Sequence, residues 1–382
     1  MADDETQRRF PGTTPPRVLH VADTDVSARF GRMFRQLGFG LATEGLRVSF
    51  LTDDPRLASD LDGTPVECLT VKNLTGWWSW GLIRQLGRRL DPPPQLVHLW
   101  GTRCLRTIGR WAASREIPVL VHATSVADVE CLLQLRRPWV HTYWAAACRG
   151  LVSLALSHSR EAAEWLTVLP PVLLMPDPPA ACQTEEHVLG VVWTGRLDPQ
   201  AGLETLVDAV AQCARHEQEL QVALIGTGPG VQSVWERIRQ TNAQHCITLV
   251  HEPRSWDQAM GGVDVYVVPA RQAELSLAPL LAMALGKTVL ASRDQVAEWF
   301  VDDRTCWQFT PGSAVELAYL LSRAVDGDRR VQRLGESATS YVREHHMCSA
   351  VLPDLLTAYE ALLRDSGSGG PLRLESAEAR QK

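Results

Sequence analysis

The sequence lacks the closely paired cysteines that are typical of disulfide-rich secreted proteins and the long apolar runs that are typical of membrane-spanning ones. Its nine cysteines are scattered and never form a Cys-x-x-Cys pair, so we expect small buried residues in a reducing compartment. No segment reaches the roughly 18 consecutive apolar residues that span a bilayer. Residues 1–16 are polar and Pro-rich, without the apolar core of a signal peptide. These features predict a cytoplasmic protein.

The chain also lacks an excess of positive charge. Its 38 Lys and Arg against 44 Asp and Glu give a net charge of -6 at pH 7. Without a basic field, nucleic acid is not expected as a partner. At 382 residues and 45% hydrophobic composition, the chain is long enough for two soluble domains that each bury a core.

Short apolar segments alternate with helical patterns, as is typical of parallel sheets covered by helices on both faces. The strands predicted in the first half are Arg17–Ala22, Arg47–Thr52, Gln95–Trp100, Ile117–His122 and Leu151–Leu156. Those predicted in the second half are 188–194, 221–226, 247–250, 263–268 and 288–291. The expected fold class is α/β, with two Rossmann-like domains facing a central cleft.

Composition also predicts where the chain divides, because Pro-rich and Gly/Ser-rich polar stretches mark linkers and disordered tails. The expected parts are a disordered leader (1–16), a first Rossmann-like domain (17–170), a linker (171–186), a second Rossmann-like domain (187–345), a final helix (346–365) and a disordered tail (366–382).

Arg196 lies where a predicted strand gives way to a helix. Asp198 is a natural N-cap and Pro199 a natural first helical residue. A guanidinium beside the free backbone N–H groups of a helix start suits a diphosphate, whose oxygens accept bidentate hydrogen bonds. An interdomain or surface arginine is the ordinary alternative.

Gly226 and Gly228 follow the predicted strand 221–226 and precede a helix. Glycines at this point let backbone approach a nucleotide base or phosphate. A tight turn that needs positive φ explains the same loop without any ligand, and is favoured if the loop is taken alone.

Glu274 follows Pro269 at the carboxyl end of the predicted strand 263–268. An apolar helix from about Leu277 and the strand 288–291 come next, which together make half of a Rossmann unit. The carboxyl ends of strands are where open α/β sheets bind ligands, so Glu274 is a candidate site residue.

Taken in order, these segments resemble the carboxyl-terminal domain of retaining nucleotide-sugar glycosyltransferases of the GT-B fold, of the family 4 or group 1 type. The resemblance runs through Gly195–Asp198, Gly226–Pro229, Asp264–Pro269, Glu274 and Ala282–Ala291. The first half matches more loosely. In that family the donor lies in the interdomain cleft, an Arg and a Lys bind its diphosphate, and a Glu-x7-Glu pair binds sugar and ribose.

The resemblance assigns a role to each matching residue. Arg196 would bind the diphosphate, Glu274 the donor sugar hydroxyls, and Gly226 and Gly228 the nucleotide side. His122, at the end of a predicted strand, matches a cleft histidine near the transferring sugar. His122 and Glu274 are therefore the candidate catalytic residues, although a lone histidine at a strand end is often only structural.

Three positions depart from the family's pattern. Ala201 stands where the family has the diphosphate lysine, and Ala282 stands where it has the second glutamate. The usual glycine-rich turn after the first strand keeps only Gly31. Losing two charged contacts would weaken donor binding by about two to four decades. Arg271 or Lys287 is the hypothetical source of the missing positive charge.

Neither a metal nor a cofactor besides the nucleotide-sugar is expected. Asp23-Thr-Asp25 and Asp302-Asp303 look superficially like metal-binding pairs, but both are interpreted as loop and capping acids.

The segment Trp77–Arg89 combines three tryptophans with three arginines. It is either an interfacial helix that makes weak peripheral contact with an anionic membrane, or a core-packed helix with solvated arginines. The second interpretation is favoured, because the segment contains glycines and few cations.

The expected function is transfer of a hexose from a nucleotide-sugar to an unidentified hydroxyl acceptor (glycan, lipid or small molecule), with retention and without a metal. The first alternative is a degenerate homologue that binds a sugar nucleotide, glycan or protein without turnover. A sugar-nucleotide epimerase would need further cleft acids and bases that the sequence does not identify. A nicotinamide dehydrogenase is disfavoured because no Gly-x-Gly-x-x-Gly motif follows the first strand.

Overall fold

The computed structural model describes residues 15–72, 74–75, 80–135, 141–155, 166–172, 188–251, 260–272 and 274–364. The chain forms two compact units, Met1–Leu174 with Cys348–Lys382, and Met175–Met347. The leader 1–16, the linker 171–186 and the tail 366–382 lie wholly or mostly outside the described residues.

The first unit is built on a parallel sheet of near-continuous apolar strands. Within the described residues the sheet has seven strands in the order β3-β2-β1-β4-β5-β6-β7, so the order reverses between β1 and β4. The strands are β1 (Arg17–Ala22), β2 (Arg47–Thr52), β3 (Glu67–Thr70), β4 (Leu96–Trp100), β5 (Val119–Ala123), β6 (Thr142–Ala146) and β7 (Leu166–Val168). β4, β5 and β6 are buried at every position, as expected for strands covered on both faces.

Helices connect these strands. They are α1 (Thr24–Thr43), α2 (Pro55–Leu61), α3 (Trp80–Arg89), α4 (Arg110–Ala113), α5 (Val126–Gln134) and α6 (Arg149–Ala155). Asp23 caps α1 by accepting a hydrogen bond from the backbone N–H of Val26 at 2.9 Å. Gly45, with φ of 87°, supplies the left-handed conformation just past its end.

The predicted strand Leu151–Leu156 is wrong, because most of this segment belongs to α6. Its buried residues, Leu151 and Ala155, are four apart and therefore share one helical face, while Leu154 is exposed. The strand at this point of the fold is β6, which is buried throughout. A short apolar run does not distinguish a strand from one face of a buried helix.

α3 (Trp80–Arg89) covers the described part of the tryptophan-rich segment. Leu82 and Leu86 are buried, one helical turn apart. The three arginines of the segment are exposed: Arg84, Arg88 and Arg89. Trp77 lies outside the described residues. In the part of the chain that the structure describes, no helix is both long and apolar enough to cross a membrane.

The second unit is a six-stranded parallel sheet in the order β10-β9-β8-β11-β12-β13, counted over the described residues. Its strands are β8 (Leu189–Thr194), β9 (Leu220–Ile225), β10 (Ile247–Val250), β11 (Val265–Val268), β12 (Thr288–Ser292) and β13 (Trp307–Phe309). Its helices are α7 (Leu203–Arg215), α8 (Val231–Gln240), α9 (Ala278–Ala284), α10 (Ala314–Val325) and α11 (Arg329–His345). The strand order reverses between β8 and β11.

A last helix, α12 (Cys348–Arg364), belongs to the first unit. It packs on α1 at Gly40, where an added Cβ would lie 2.7 Å from the sulfur of Cys348. Tyr359 is fully buried, and its hydroxyl lies 2.6 Å from Nδ1 of His98 and 3.4 Å from Nε2 of His20. A polar contact in the core thus fixes α12 to β1 and β4.

The hydrogen bonds of this core form one directed chain. The Leu169 carbonyl can only accept, so His122 donates to it through Nε2 at 3.0 Å. His122 Nδ1 then accepts from His98 Nε2 at 3.2 Å, and His98 Nδ1 accepts from the phenol of α12. Trp100 donates to His20 Nδ1 at 3.1 Å. These hydrogen bonds are all satisfied when the three histidines are neutral.

Burial makes the neutral forms favourable. It lowers the pKa of His20 to about 3 and that of His122 to about 4, and it holds the pKa of His98 well below its ordinary value. In the unfolded chain the same groups take up protons near pH 6.5. Their contribution to stability is therefore complete above about pH 6.5 and is lost as the pH falls below it.

We predict that the free energy of unfolding falls between pH 6.5 and pH 4.5. Each of the three histidines contributes about 1.4 kcal/mol per pH unit, because the unfolded state binds a proton that the folded state does not. Urea unfolding at a series of pH values measures this slope. A free energy that is constant from pH 6.5 to pH 5 would contradict the account.

Candidate functional site

The second sheet opens where its strand order reverses. In the described residues β8 and β11 pair at only two positions, Val191 with Val265 and Val192 with Tyr266. Beyond them β8 stays paired with β9, and β11 with β12, to the ends of both strands. The carboxyl ends of β8 and β11 therefore diverge. Open α/β sheets bind ligands at such a crevice.

The loop that follows β8 carries Arg196. Its side chain is 72% exposed, and Nε lies 3.0 Å from a carboxylate oxygen of Asp198. Asp198 was expected to cap a helix, but its side chain makes no capping hydrogen bond. A short 3₁₀ turn, Pro199–Ala201, comes next, and α7 begins only after Gly202. Arg196 thus stands at the mouth of the crevice, one turn ahead of the helix.

Ala201 and Gly202 fix this loop against its surroundings. Ala201 packs against the hydrophobic core of the second unit. Gly202 has φ of 71°, and an added Cβ would lie 2.7 Å from the Cβ of Ala270 and 3.0 Å from the backbone of Pro269. The loops after β8 and β11 therefore touch, and only glycine fits between them.

The glycines after β9 serve a similar close approach. An added Cβ at Gly226 would lie 1.8 Å from the carbonyl oxygen of Gly195, and one at Gly228 would lie 2.3 Å from that of Leu197. Gly230 donates its backbone N–H to the same Leu197 oxygen at 2.7 Å. Because these residues are glycines, the loop after β9 packs backbone to backbone on the loop that carries Arg196. Nucleotide contact by Gly226 and Gly228 remains a prediction.

Arg271 and Glu274 are exposed in the loop that follows β11. Gln295, from the segment after β12, braces this loop by donating to the carbonyl of Ala270 at 2.7 Å and accepting from the N–H of Gln272 at 3.4 Å. Sequence reasoning missed Gln295, because its role depends on a contact between segments far apart in the chain. The loops after β8 and β11 thus bring Arg196, Arg271 and Glu274 to one edge of the sheet.

Lys287 lies at the opposite edge of the same sheet. It precedes β12, and its amino group donates to the carbonyl of Gly261 at 3.0 Å. Burial lowers its pKa, an effect that Asp264 opposes. This position favours Arg271 over Lys287 as the source of the missing charge. Ala282, in the place of the second glutamate, is fully buried on α9.

The side chain of His122 is buried in the core of the first unit. It is 1% exposed, both ring nitrogens are hydrogen bonded, and its ring stacks on Trp100 at 4.4 Å between centroids. This differs from the expectation of a histidine open to a sugar, because β5 lies inside the sheet. The structure gives His122 a structural role, and its catalytic role remains a prediction.

The two aspartate pairs that look like metal ligands in the sequence make hydrogen bonds and an ion pair within the first and second units. Asp23 caps α1, and Asp25 pairs with Arg103. Asp302 accepts from the backbone of Gln308, and Asp303 accepts from the indole of Trp307, both at 2.9 Å. Over the described ranges, no group of three or more His, Cys, Asp or Glu side chains is placed to hold a metal ion.

Asp128 organises the corresponding edge of the first sheet. Its carboxylate accepts from the N–H of Thr102 at 2.8 Å and from that of Thr124 at 3.1 Å, which joins the loops after β4 and β5. Ser125 and Asp128 also bond each other across the start of α5. Sequence reasoning missed Asp128, although the Ser-x-x-Asp spacing at a helix start is a capping signal.

We predict that Gly228→Ala lowers the free energy of unfolding by about 1–3 kcal/mol, because the added methyl group forces two loops apart. Chemical denaturation measures the loss. Gly87→Ala is the control, because an added Cβ there meets nothing nearer than Arg115 Nη2 at 3.9 Å. Equal stability of the two variants would show that the close approach of the loops is unimportant.

Residues 189–326, which lie within the second unit, match the family model described as "Glycosyl transferases group 1". No curated protein matches the chain in sequence.

Solved structures match almost the whole chain. A glycosyltransferase from Rickettsia africae is 14% identical and covers 92% of this chain and 99% of its own, with a TM-score of 0.73. Anabaena HepE in complex with UDP and glucose is 14% identical and covers 90% of this chain and 99% of its own, with a TM-score of 0.74. Sucrose-phosphate synthase from Thermosynechococcus elongatus is 18% identical and covers 91% of this chain and 99% of its own, with a TM-score of 0.70. The chain therefore has the GT-B fold, and its second unit contains a domain similar to the group 1 glycosyl transferases.

Proposed function

We propose that this chain transfers a hexose from a nucleotide-sugar donor to a hydroxyl acceptor, with retention and without a metal ion. One observation carries the proposal: two diverging strands at a switch point carry Arg196 on one loop and Arg271 and Glu274 on the other. The family match over residues 189–326 supports it. So do structures of the same fold whose proteins bind UDP or UDP-glucose.

In the proposed mechanism Arg196 binds the diphosphate of the donor. Its partner Asp198 is 38% exposed, and exposed ion pairs contribute only about 0–1 kcal/mol, so a diphosphate can displace the carboxylate. The start of α7 adds backbone N–H groups and the positive end of a helix dipole. Both stabilise the charge that grows on the leaving diphosphate.

Glu274 would accept hydrogen bonds from the donor sugar, which orients the reacting carbon. The acceptor hydroxyl oxygen then attacks the anomeric carbon from the face that the diphosphate leaves. The carbon–oxygen bond to the diphosphate breaks, the hydroxyl proton passes to the departing diphosphate oxygen, and configuration is retained. Arg271, on the same loop as Glu274, would supply the second positive charge in place of the missing lysine. Two guanidinium groups provide the neutralisation that a metal ion supplies in other transferases.

The acceptor is proposed to be a glycan, a lipid or a small molecule. Weak membrane contact through Trp77–Arg89 remains part of the proposal. The exposed Arg84, Arg88 and Arg89 are compatible both with such contact and with a core-packed helix. Such contact would suit a cytoplasmic enzyme that meets its acceptor at a membrane surface.

The alternative function is binding of a sugar nucleotide, glycan or protein without turnover. Ala201 and Ala282 favour it, because neither offers a polar group at a position where the family resemblance implies one. Ala201 is packed on the core and Ala282 is fully buried. The two functions differ in whether Arg196, Arg271 and Glu274 are enough for hexose transfer or only for binding.

A transfer assay with labelled uridine, guanosine and adenosine diphosphate sugars separates these functions. We expect the wild-type chain to release or transfer the labelled hexose from one of them. Arg196→Ala should lower kcat/KM by about 10- to 100-fold, because it removes a charge-assisted contact to the leaving group. The control Arg239→Ala changes an arginine of α8, away from the crevice.

Activity that appears only in Ala201→Lys or Ala201→Lys/Ala282→Glu would favour the alternative function. The single variant should disturb the fold less than the double variant, because Ala201 is only partly buried whereas Ala282 is fully buried.

The position of the second positive charge gives a further prediction. The ligand is whichever of uridine, guanosine and adenosine diphosphate raises the thermal stability of the wild-type chain. We expect Arg271→Ala to weaken its binding by about 10-fold, because the change removes a charged hydrogen-bond donor from the crevice. Lys287→Ala should leave binding unchanged, since Lys287 lies at the opposite edge of the sheet. Thermal shift at a series of ligand concentrations measures both. Equal effects of the two variants would contradict this assignment.

A further inference from the structure

The backbone of β8 is not joined to β11 at the level of the crevice. The ladder between them ends at Val192 and Tyr266. Thr194, the last residue of β8, pairs with β9 instead. Arg196 follows two residues later. The position of Arg196 relative to β11 therefore depends on contacts other than a β-ladder.

The phenol of Tyr266 spans this gap. Its oxygen lies 2.7 Å from the hydroxyl of Thr194 and donates to the carbonyl of the same residue at 3.4 Å. Tyr266 is fully buried and Thr194 is 3% exposed. Burial raises the pKa of the phenol, so it remains a protonated donor at neutral pH.

We propose that Tyr266 is a positioning residue for the donor site, which holds the end of β8 and the Arg196 loop at a fixed distance from the loop that carries Glu274. The inference rests on the proposed function for its effect on donor binding, but the restraint itself does not.

The other side of the loop is held differently. Gly195 donates to the carbonyl of Ile225 at 3.0 Å, and Leu197 donates to that of Thr227 at 2.9 Å. Backbone hydrogen bonds thus join the loop to the end of β9 and the residues after it. The side chain of Tyr266 joins Thr194, the residue before the loop, to β11. A side chain can be removed without altering the backbone, so this restraint is open to a direct test.

The test compares Tyr266→Phe, Thr194→Val and the double variant with the wild-type chain. Phe keeps the ring and Val keeps the branched shape, so each change removes one hydroxyl. Thr288→Val is the matched control. Thr288 is also a buried threonine of this sheet, but its hydroxyl donates to the carbonyl of Val331 at 2.9 Å, at the amino end of β12.

Two quantities are measured: the Kd for UDP by calorimetry, and amide hydrogen exchange of residues 195–202. We expect each single variant to raise the Kd for UDP by about 3- to 10-fold, the effect of one hydrogen bond. Exchange in 195–202 should be faster than in the wild type. The double variant should bind UDP no more weakly than Tyr266→Phe, because Tyr266→Phe alone already removes both hydrogen bonds to Thr194. Thr288→Val should lose stability with unchanged Kd and unchanged exchange in 195–202.

The inference is overturned if Tyr266→Phe leaves exchange in 195–202 unchanged, or if it speeds exchange while the Kd for UDP stays unchanged. A wild-type chain that fails to bind UDP counts against the proposed function with that nucleotide. Exchange in 195–202 then decides the restraint alone: faster exchange supports it, and unchanged exchange overturns it.

Discussion

The divergence of β8 and β11 is the constraint on which the candidate site depends. Both strands leave their shared ladder after two paired positions, and each then follows its other neighbour. The loops that leave these strands carry charged side chains to one edge of the sheet. A crevice of this kind follows from strand order rather than from any single residue, because neighbouring strands on the two sides of a switch point have connections that run in opposite directions.

Three glycines allow close packing of the loops around the crevice. Gly202, Gly226 and Gly228 each stand where a Cβ would meet backbone atoms, so three loops pack on one another without side chains between them. For Gly226 and Gly228 the sequence left nucleotide contact and a tight turn both open, and the role that the structure shows for them is packing between loops. A family resemblance names such residues as ligand contacts, whereas the backbone geometry also requires them in the absence of a ligand.

The sequence predicted five of the six described strands of the second unit, because each of these is a short apolar run between clear helix and turn signals, but it missed β13 (Trp307–Phe309). It failed at Leu151–Leu156, where a helical face and a strand have the same apolar residues. The site residues divide in the same way. Local motifs proposed Arg196 and Glu274 as site residues, and the structure places both at one edge of the sheet. The positions of Lys287, Gln295 and His122 depend on contacts between segments distant in the chain.

The proposed donor site has Ala201 and Ala282 where the family resemblance implies a lysine and a glutamate. Ala201 belongs to the core packing and Ala282 is buried in α9. What remains is a pair of exposed arginines and one exposed glutamate on touching loops. The account therefore assigns donor binding to these loops alone.

Hydrogen exchange of the wild-type chain with and without a saturating nucleotide-sugar, such as UDP-glucose, tests this claim most directly. The account predicts slower exchange in residues 195–203 and 269–277, on both sides of the crevice. Slower exchange confined to other parts of the chain, with these loops unchanged, would contradict it.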